Sequence, residues 1–235
     1  MKIQDAVVLV TGANRGIGYA LARAFVENGA AKVYAGARDP SLITDPELIP
    51  IQLDITDYAE VSAAAKLATD TTILVNNAGI FYSTHPLTAS LADARKEMEV
   101  NYLGTWAMAQ AFAPVLARNG GGAIVNMLSV ASWRASTKMT GYAASKSAEW
   151  SLTNALRMEL RPQGTRVTGV HCGFVDTEST KGIESVKVSL EKVTQELIKG
   201  ILKNSDEVLV DETAKKVKAS LSDDQRLLYA PENLK

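Results

Sequence analysis

The stretch Val8-Leu9-Val10-Thr11-Gly12-Ala13-Asn14-Arg15-Gly16-Ile17-Gly18 constrains the fold of this chain more than any other. The apolar run from Ala6 to Val10 reads as a buried parallel strand. It breaks into a glycine-rich turn, and helical periodicity takes over from Tyr19 to Glu27. Strand, glycine turn and helix in that order build a site for the phosphates of a nucleotide, because the helix N-terminus offers free N–H groups and a partial positive charge. Gly12 permits the tight turn, Gly16 lets a pyrophosphate approach the backbone, and Gly18 lets helix and strand pack closely. Asn14, Arg15 and Ile17 fill the positions between. The spacing is G-x-x-x-G-x-G, three residues and then one.

The remainder of the chain is consistent with one α/β domain over residues 1–235. No linker, repeat or low-complexity tract divides it, and 46% hydrophobic residues suffice for a large core. Twenty-five basic and 26 acidic residues leave a net charge of -1, which argues against a nucleic-acid or membrane-surface partner. The single cysteine, Cys172, cannot form an internal disulfide and suits a reducing cytosol. The start, Met1-Lys-Ile-Gln-Asp, lacks the apolar core of a signal peptide, and no apolar run approaches the roughly 18 residues of a membrane span. The expectation is a soluble, cytoplasmic protein.

A glycine cap near Asn28-Gly29 closes the first helix, and Lys32–Ala37 reads as the second strand. The end of that strand discriminates between nicotinamide cofactors. An acidic residue there bonds a ribose 2′-OH, whereas an arginine accommodates a 2′-phosphate. Here Ala37 is followed by Arg38, and Arg15 reaches from the glycine turn. Two guanidinium groups on one dianion point to NADP(H); the alternative is a solvated Arg38 paired with Asp39.

Residues 49–55 read as a third strand ending at Asp54-Ile55, placed to meet an adenine, with Asp54 accepting from its amino group and Ile55 packing on the ring. Thr56 or Asp57 is the better cap for the helix at 58–68. A fourth strand, 72–75, leads into Asn76-Asn77-Ala78-Gly79, whose small Ala78-Gly79 pair lets a flat ligand lie against the main chain.

The pattern Thr11-Gly-x-x-x-Gly-x-Gly18, Asp54-Ile55 and Asn76-Asn-Ala-Gly79 resembles the short-chain dehydrogenase/reductase family. The likeness continues to Thr177, about three quarters of the chain. It implies an α/β fold, a doubly wound parallel sheet (Rossmann fold) of seven strands with helices on both faces.

Residues 91–118 carry helical periodicity, with Met98, Val100, Leu103, Trp106 and Ala107 on the expected buried faces. Asn101 interrupts that pattern. As a residue it reads as a buried asparagine bonded to backbone; the resemblance implies that it also bends the helix and holds a water near a catalytic lysine. Ser129 follows the fifth strand, and Tyr142-Ala-Ala-Ser-Lys146 opens a long helix running to Leu160. The four-residue offset puts Tyr142 and Lys146 on one face. A free tyrosine titrates near pH 10; a neighbouring ammonium and an oxidised nicotinamide both favour the phenolate and move it towards the working range. In this reading Tyr142 donates the proton, Lys146 tunes it and anchors the nicotinamide ribose, and Ser129 orients the carbonyl.

After the sixth strand, 165–171, the resemblance implies cofactor contacts at Gly173, Val175 and Thr177, with Cys172 standing where the family usually has proline. Residues 178–190 read as a substrate flap, 193–202 as a helix, 207–211 as the seventh strand and 212–221 as a basic closing helix. His171 reads as structural and His85 as a surface residue. Phe81, Tyr82, Trp133, Met139 and Phe174 flank the catalytic groups and predict an apolar carbonyl or alcohol substrate. The ending lacks the Gly-Gly tail of the family's tetramers, which favours a homodimer or monomer. The functional expectation is an NADPH-dependent ketone or aldehyde reductase with no metal. Its alternatives are an NADP-dependent alcohol dehydrogenase and a non-catalytic NADP(H)-binding redox sensor.

Overall fold

In the computed structural model, which describes residues 1–223 and Tyr229, the seven expected strands form, and so do two short ones, Phe174–Val175 and Lys187–Val188. These are β1 (Val7–Thr11), β2 (Lys32–Ala37), β3 (Ile49–Gln52), β4 (Ile73–Asn76), β5 (Gly122–Met127), β6 (Thr165–His171), β7 (Phe174–Val175), β8 (Lys187–Val188) and β9 (Glu207–Leu209). Seven of them form one sheet in the order β3-β2-β1-β4-β5-β6-β9, and every pairing in it is parallel. Strand order reverses direction between β1 and β4, and a crevice opens outside their carboxyl ends. The sheet is that of the doubly wound fold expected from the sequence.

Helices cover both faces: α1 (Gly16–Glu27), α2 (Tyr58–Leu67), α3 (Leu91–Glu97), α4 (Thr105–Arg118), α5 (Thr140–Glu159), α6 (Leu190–Leu202) and α7 (Glu212–Ala219). Val8 and Val10 pack with Phe25 of α1 and Leu197 of α6, while Leu9 between them packs with Leu74 and with Phe112 of α4. Burial on both sides is why these strands read as continuous apolar runs rather than alternating ones.

Several boundaries differ from the pattern. Helix α1 begins at Gly16, not Tyr19, because its first turn contains two glycines that periodicity does not register. Ser189 caps α6 by accepting from the Lys192 N–H at 3.2 Å, so the helix begins at Leu190 rather than Val193. The 178–190 stretch is accordingly not wholly irregular: Lys187–Val188 pairs with Phe174–Val175, and Leu190 is already helical. β9 stops at Leu209, and Asp211, expected inside it, caps α7.

The expectation for 91–118 fails on one face. α3 and α4 are joined by a π-helical segment, Met98–Gly104, and the side that packs inward carries Glu97, Asn101, Gly104, Thr105, Met108 and Phe112. Trp106 is 39% exposed and leans on Tyr102 instead. Val100 and Ala107 do pack, half-buried, against the core, but the inner face is partly polar and the wide turn rotates the register, so an apolar count at period 3.6 misses its centre.

Among the described residues no helix is long and apolar enough to cross a membrane. Residues 224–228 and 230–235, part of the expected 1–235 domain and of the tail weighed for assembly, lie outside the described residues.

Candidate active site

A cleft of about 1400 Å³ runs along the carboxyl ends of the central strands, and every cofactor-binding residue expected from the sequence lines it. Its floor is the glycine turn. Gly12 (φ +65°) and Gly16 (φ +56°) occupy the left-handed region. At Gly18 a Cβ would lie 2.2 Å from the Gly12 carbonyl oxygen, so only glycine allows this approach of helix to strand.

Arg15 occupies the N-cap of α1 in an extended conformation, makes no side-chain capping bond, and no acidic residue follows in the first turn. By contrast α2, α3, α6 and α7 are capped by Asp57, Ser90, Ser189 and Asp211. The first-turn N–H groups of α1 and its positive dipole end are thus left to a ligand, which fits the phosphates of a dinucleotide.

Asn77 serves this turn as a brace. Its Nδ2 donates to the carbonyls of Thr11 (2.9 Å) and Gly12 (3.3 Å), while Thr11 Oγ1 accepts the N–H groups of Asn77 and Ala78, both at 3.0 Å. Ala78 and Gly79 form the wall beyond, where a Cβ on Gly79 would come within 3.1 Å of Asn101 Oδ1. Arg15 and Arg38 are exposed at the adenosine end. Among the described residues Arg38 forms no ion pair. Asp39 instead accepts from the Ser41 N–H and hydroxyl at 3.0 and 2.6 Å, so the alternative Arg38–Asp39 pair is not formed. Asp54 lines the cleft beside Ile55, with Oδ1 holding Thr56 through its N–H (2.9 Å) and hydroxyl (2.7 Å). Asp57 caps α2.

At the other end β5 delivers Ser129 and α5 presents Tyr142 and Lys146. Ser129 Oγ accepts the Ala131 N–H at 3.1 Å, and a hydrogen bond joins the hydroxyls of Ser129 and Tyr142. The Lys146 ammonium lies 6.0 Å from the Tyr142 ring centroid and donates to the Met127 carbonyl at 2.8 Å. Burial is the largest influence on Tyr142 and holds its pKa above the ordinary value, with Lys146 and Ser129 pulling in the other direction. The sequence expectation weighed the ammonium together with an oxidised nicotinamide and left the desolvation out. Lys146 is raised as well: burial lowers it, but Glu149, Tyr142 and Cys172 together outweigh that effect.

Glu149 is the residue that sequence reasoning missed. Its carboxylate is buried 2.6 Å from Lys146 Nζ. Tyr142, Lys146 and Glu149 stand at i, i+4 and i+7, the spacing of a buried helix stripe, and an acidic residue in such a stripe is the available signal.

Asn101 is fully buried. Its side chain bonds both backbone groups of Ile80 and donates to Ser145 Oγ at 2.9 Å, from within the π-helical segment. Beyond β6, the Gly173 N–H donates to Asp211 Oδ2 at 2.8 Å, so it is engaged within the chain rather than left for a carboxamide. Val175 is buried in β7, and Thr177 stands against Gly16, its methyl 3.9 Å from where a Cβ would be. Burial pushes the Cys172 thiol up to about 12, which leaves it inert.

His171 is buried, stacked 3.6 Å from Trp133, with Nδ1 donating to the Ser129 carbonyl at 3.2 Å. Phe81, Tyr82, Trp133, Met139 and Phe174 all line the cleft, and Phe81 meets the Tyr142 ring edge-on at 5.4 Å. His85 is exposed and does not line it. Val186 and Tyr229 also reach this end; the Tyr229 hydroxyl accepts the Ala135 N–H at 3.2 Å. No His, Cys, Asp and Glu group able to hold a metal ion is present among the described residues.

Residues 6–187 match the family model described as short chain dehydrogenase. The chain is 33% identical over 196 residues to galactitol 2-dehydrogenase of Agrobacterium fabrum (strain C58), covering 79% of this chain and 76% of that protein. It is 31% identical over 188 residues to an uncharacterised oxidoreductase of Staphylococcus aureus (strain USA300), covering 76% and 81%. Among solved structures it is similar to a short chain dehydrogenase from Burkholderia cenocepacia J2315 in complex with NADP, with a TM-score of 0.95 and 38% identity over 100% of both chains.

Proposed function

Because this chain belongs to the short-chain dehydrogenase/reductase family, whose oxidoreductases bind a nicotinamide cofactor, we propose that it is an NADPH-dependent ketone or aldehyde reductase. The observation that carries this reading is the convergence of Ser129, Tyr142 and Lys146 at one end of a cleft whose other end is the uncapped N-terminus of α1. Arg15 and Arg38 at the adenosine end support the 2′-phosphorylated cofactor, as does the NADP complex of the Burkholderia relative.

The glycine turn and first turn of α1 would hold the pyrophosphate, Asp54 and Ile55 the adenine, Asn77 to Gly79 the wall beside it, and Lys146 the nicotinamide ribose. Gly173, Val175 and Thr177 form the far side. A bound nicotinamide supplies the hydride. Ser129 donates to the substrate carbonyl and fixes it beside Tyr142, which passes its proton to the oxygen to complete the alcohol. Burial keeps the phenol protonated, the form a proton donor requires, and the Lys146 ammonium stabilises the phenolate left behind. Phe81, Tyr82, Trp133, Met139 and Phe174 suit an apolar carbonyl compound.

A second reading, an NADP-dependent dehydrogenase working on alcohols, is favoured by the likeness to galactitol 2-dehydrogenase. The test is oxidation of NADPH and of NADH against a panel of ketones and aldehydes, with the reverse assay on alcohols and polyols. Tyr142→Phe binds NADPH as the parent does yet loses nearly all turnover; turnover near the parent rate removes the assignment. NADPH binding without turnover of any panel member favours the redox sensor.

A further inference from the structure

Beneath the Tyr142–Lys146 pair lies a carboxylate that the proposed chemistry does not use. Lys146 Nζ donates to Met127 O at 2.8 Å and to Glu149 Oε2 at 2.6 Å. The two side chains are 6% and 1% exposed. An ammonium has three N–H donors. Two are engaged here, and one remains for the cleft that Lys146 lines. Thr105 Oγ1 faces the carboxylate from the start of α4. The ionisable groups facing the pair are Tyr142 on the same helix and Cys172 beyond β6. A lysine buried without a counter-charge gives up its proton, because desolvation penalises only the charged form.

We propose that Glu149 is a positioning residue that holds the Lys146 ammonium charged and in place beneath Tyr142, so that the site carries a Tyr–Lys–Glu triad. This rests on the reading of Tyr142 and Lys146 as the catalytic pair. A salt bridge kept merely for stability is a poor explanation: burying two ions costs about as much as their attraction returns, and an apolar pair of the same volume does as well. What the carboxylate provides that an apolar residue cannot is a charged lysine in a dry site.

The pH behaviour follows. Burial pushes the Glu149 carboxyl up to about 7, against the pull of Lys146 and Thr105. Below that value Glu149 is largely neutral, and a Glu149→Gln variant resembles the parent. Above it the parent has a carboxylate under Lys146 and the variant has none, so the variant's lysine deprotonates first.

Two measurements on the full chain decide this. Carbon NMR of protein with isotope-labelled lysine side chains, the Lys146 signal assigned by its loss in Lys146→Arg, needs neither substrate nor turnover. The Lys146 midpoint falls by about 1 pH unit or more in Glu149→Gln; an unchanged midpoint in the folded variant overturns the proposal. With an active substrate, the variant-to-parent ratio of kcat/KM is level below the variant's own Lys146 midpoint and falls about ten-fold as pH rises from that midpoint towards the parent's. A ratio that is level throughout, or that rises with pH, overturns it, since a purely structural residue gives the same loss at every pH. If Glu149→Gln does not fold, Thr105→Val weakens the ionised form of Glu149 and moves the Lys146 midpoint down by a smaller step; no movement in folded Thr105→Val overturns the proposal. Should the parent turn over nothing, the functional reading has failed while the NMR titration still decides this one.

Discussion

The Asn101 side chain pairs with both backbone groups of Ile80: Oδ1 accepts the N–H at 2.8 Å and Nδ2 donates to the carbonyl at 2.9 Å. Nδ2 also reaches Ser145, the neighbour of Lys146. One amide in a π-helical segment therefore ties the cleft wall after β4 to the helix that carries Tyr142 and Lys146.

Replacing it with an isosteric apolar side chain, Asn101→Leu, leaves the Ile80 groups without partners in a half-buried site. A loss of about 1–3 kcal/mol is expected, read as a lower denaturant midpoint at unchanged slope. A midpoint equal to the parent's shows that water replaces the amide.

At Gly18 the added methyl of Gly18→Ala meets the Gly12 carbonyl oxygen at 2.2 Å and Asn77 Nδ2 at 2.5 Å. The brace and the turn must both shift, so NADPH affinity falls at least about ten-fold, with destabilisation of about 1–3 kcal/mol. Calorimetric titration and thermal unfolding of the variant measure the two effects.

Arg38 tests cofactor choice. If its guanidinium meets a 2′-phosphate, Arg38→Ala weakens NADPH binding by roughly ten-fold or more and leaves NADH binding nearly unchanged, because a charge-assisted hydrogen bond contributes about 1.5–3 kcal/mol. Equal losses for the two cofactors contradict the assignment.

His171 sets an acid limit on stability. Burial lowers its pKa from 6.5 to about 4. The unfolded chain therefore binds the proton first on acidification, and stability contributed by neutral His171 is full above pH 6.5 and lost as pH falls towards 4. The loss amounts to roughly 3 kcal/mol. His171→Phe, which retains an aromatic ring against Trp133, flattens this slope; urea unfolding of both proteins at pH 7 and pH 4.5 reads it.

Much of the site is legible in the chain because its signals are local. Glycine spacing between Gly12 and Gly18, a serine after a strand, and a tyrosine four residues before a lysine each need only a few consecutive residues. The buried polar side of the 91–118 helix is not legible in that way. Trp106 belongs by hydrophobicity inside, and it stands exposed because Glu97, Asn101 and Thr105 take the inner face. The Asn77 brace escapes for a similar reason, since its partners Thr11 and Gly12 lie 66 and 65 positions away.

By itself the sequence determined the order of strands and helices, the glycine turn, and Ser129, Tyr142 and Lys146 as the candidate site residues, because strand burial, backbone freedom and helix periodicity act over short spans. Only the tertiary structure decided their electrostatics. Desolvation of Tyr142 outweighs its attraction to Lys146, and Glu149, with Tyr142 and Cys172, offsets the burial of that lysine. Desolvation depends on every group packed around the site, and those groups come together only when the sheet and its helices close.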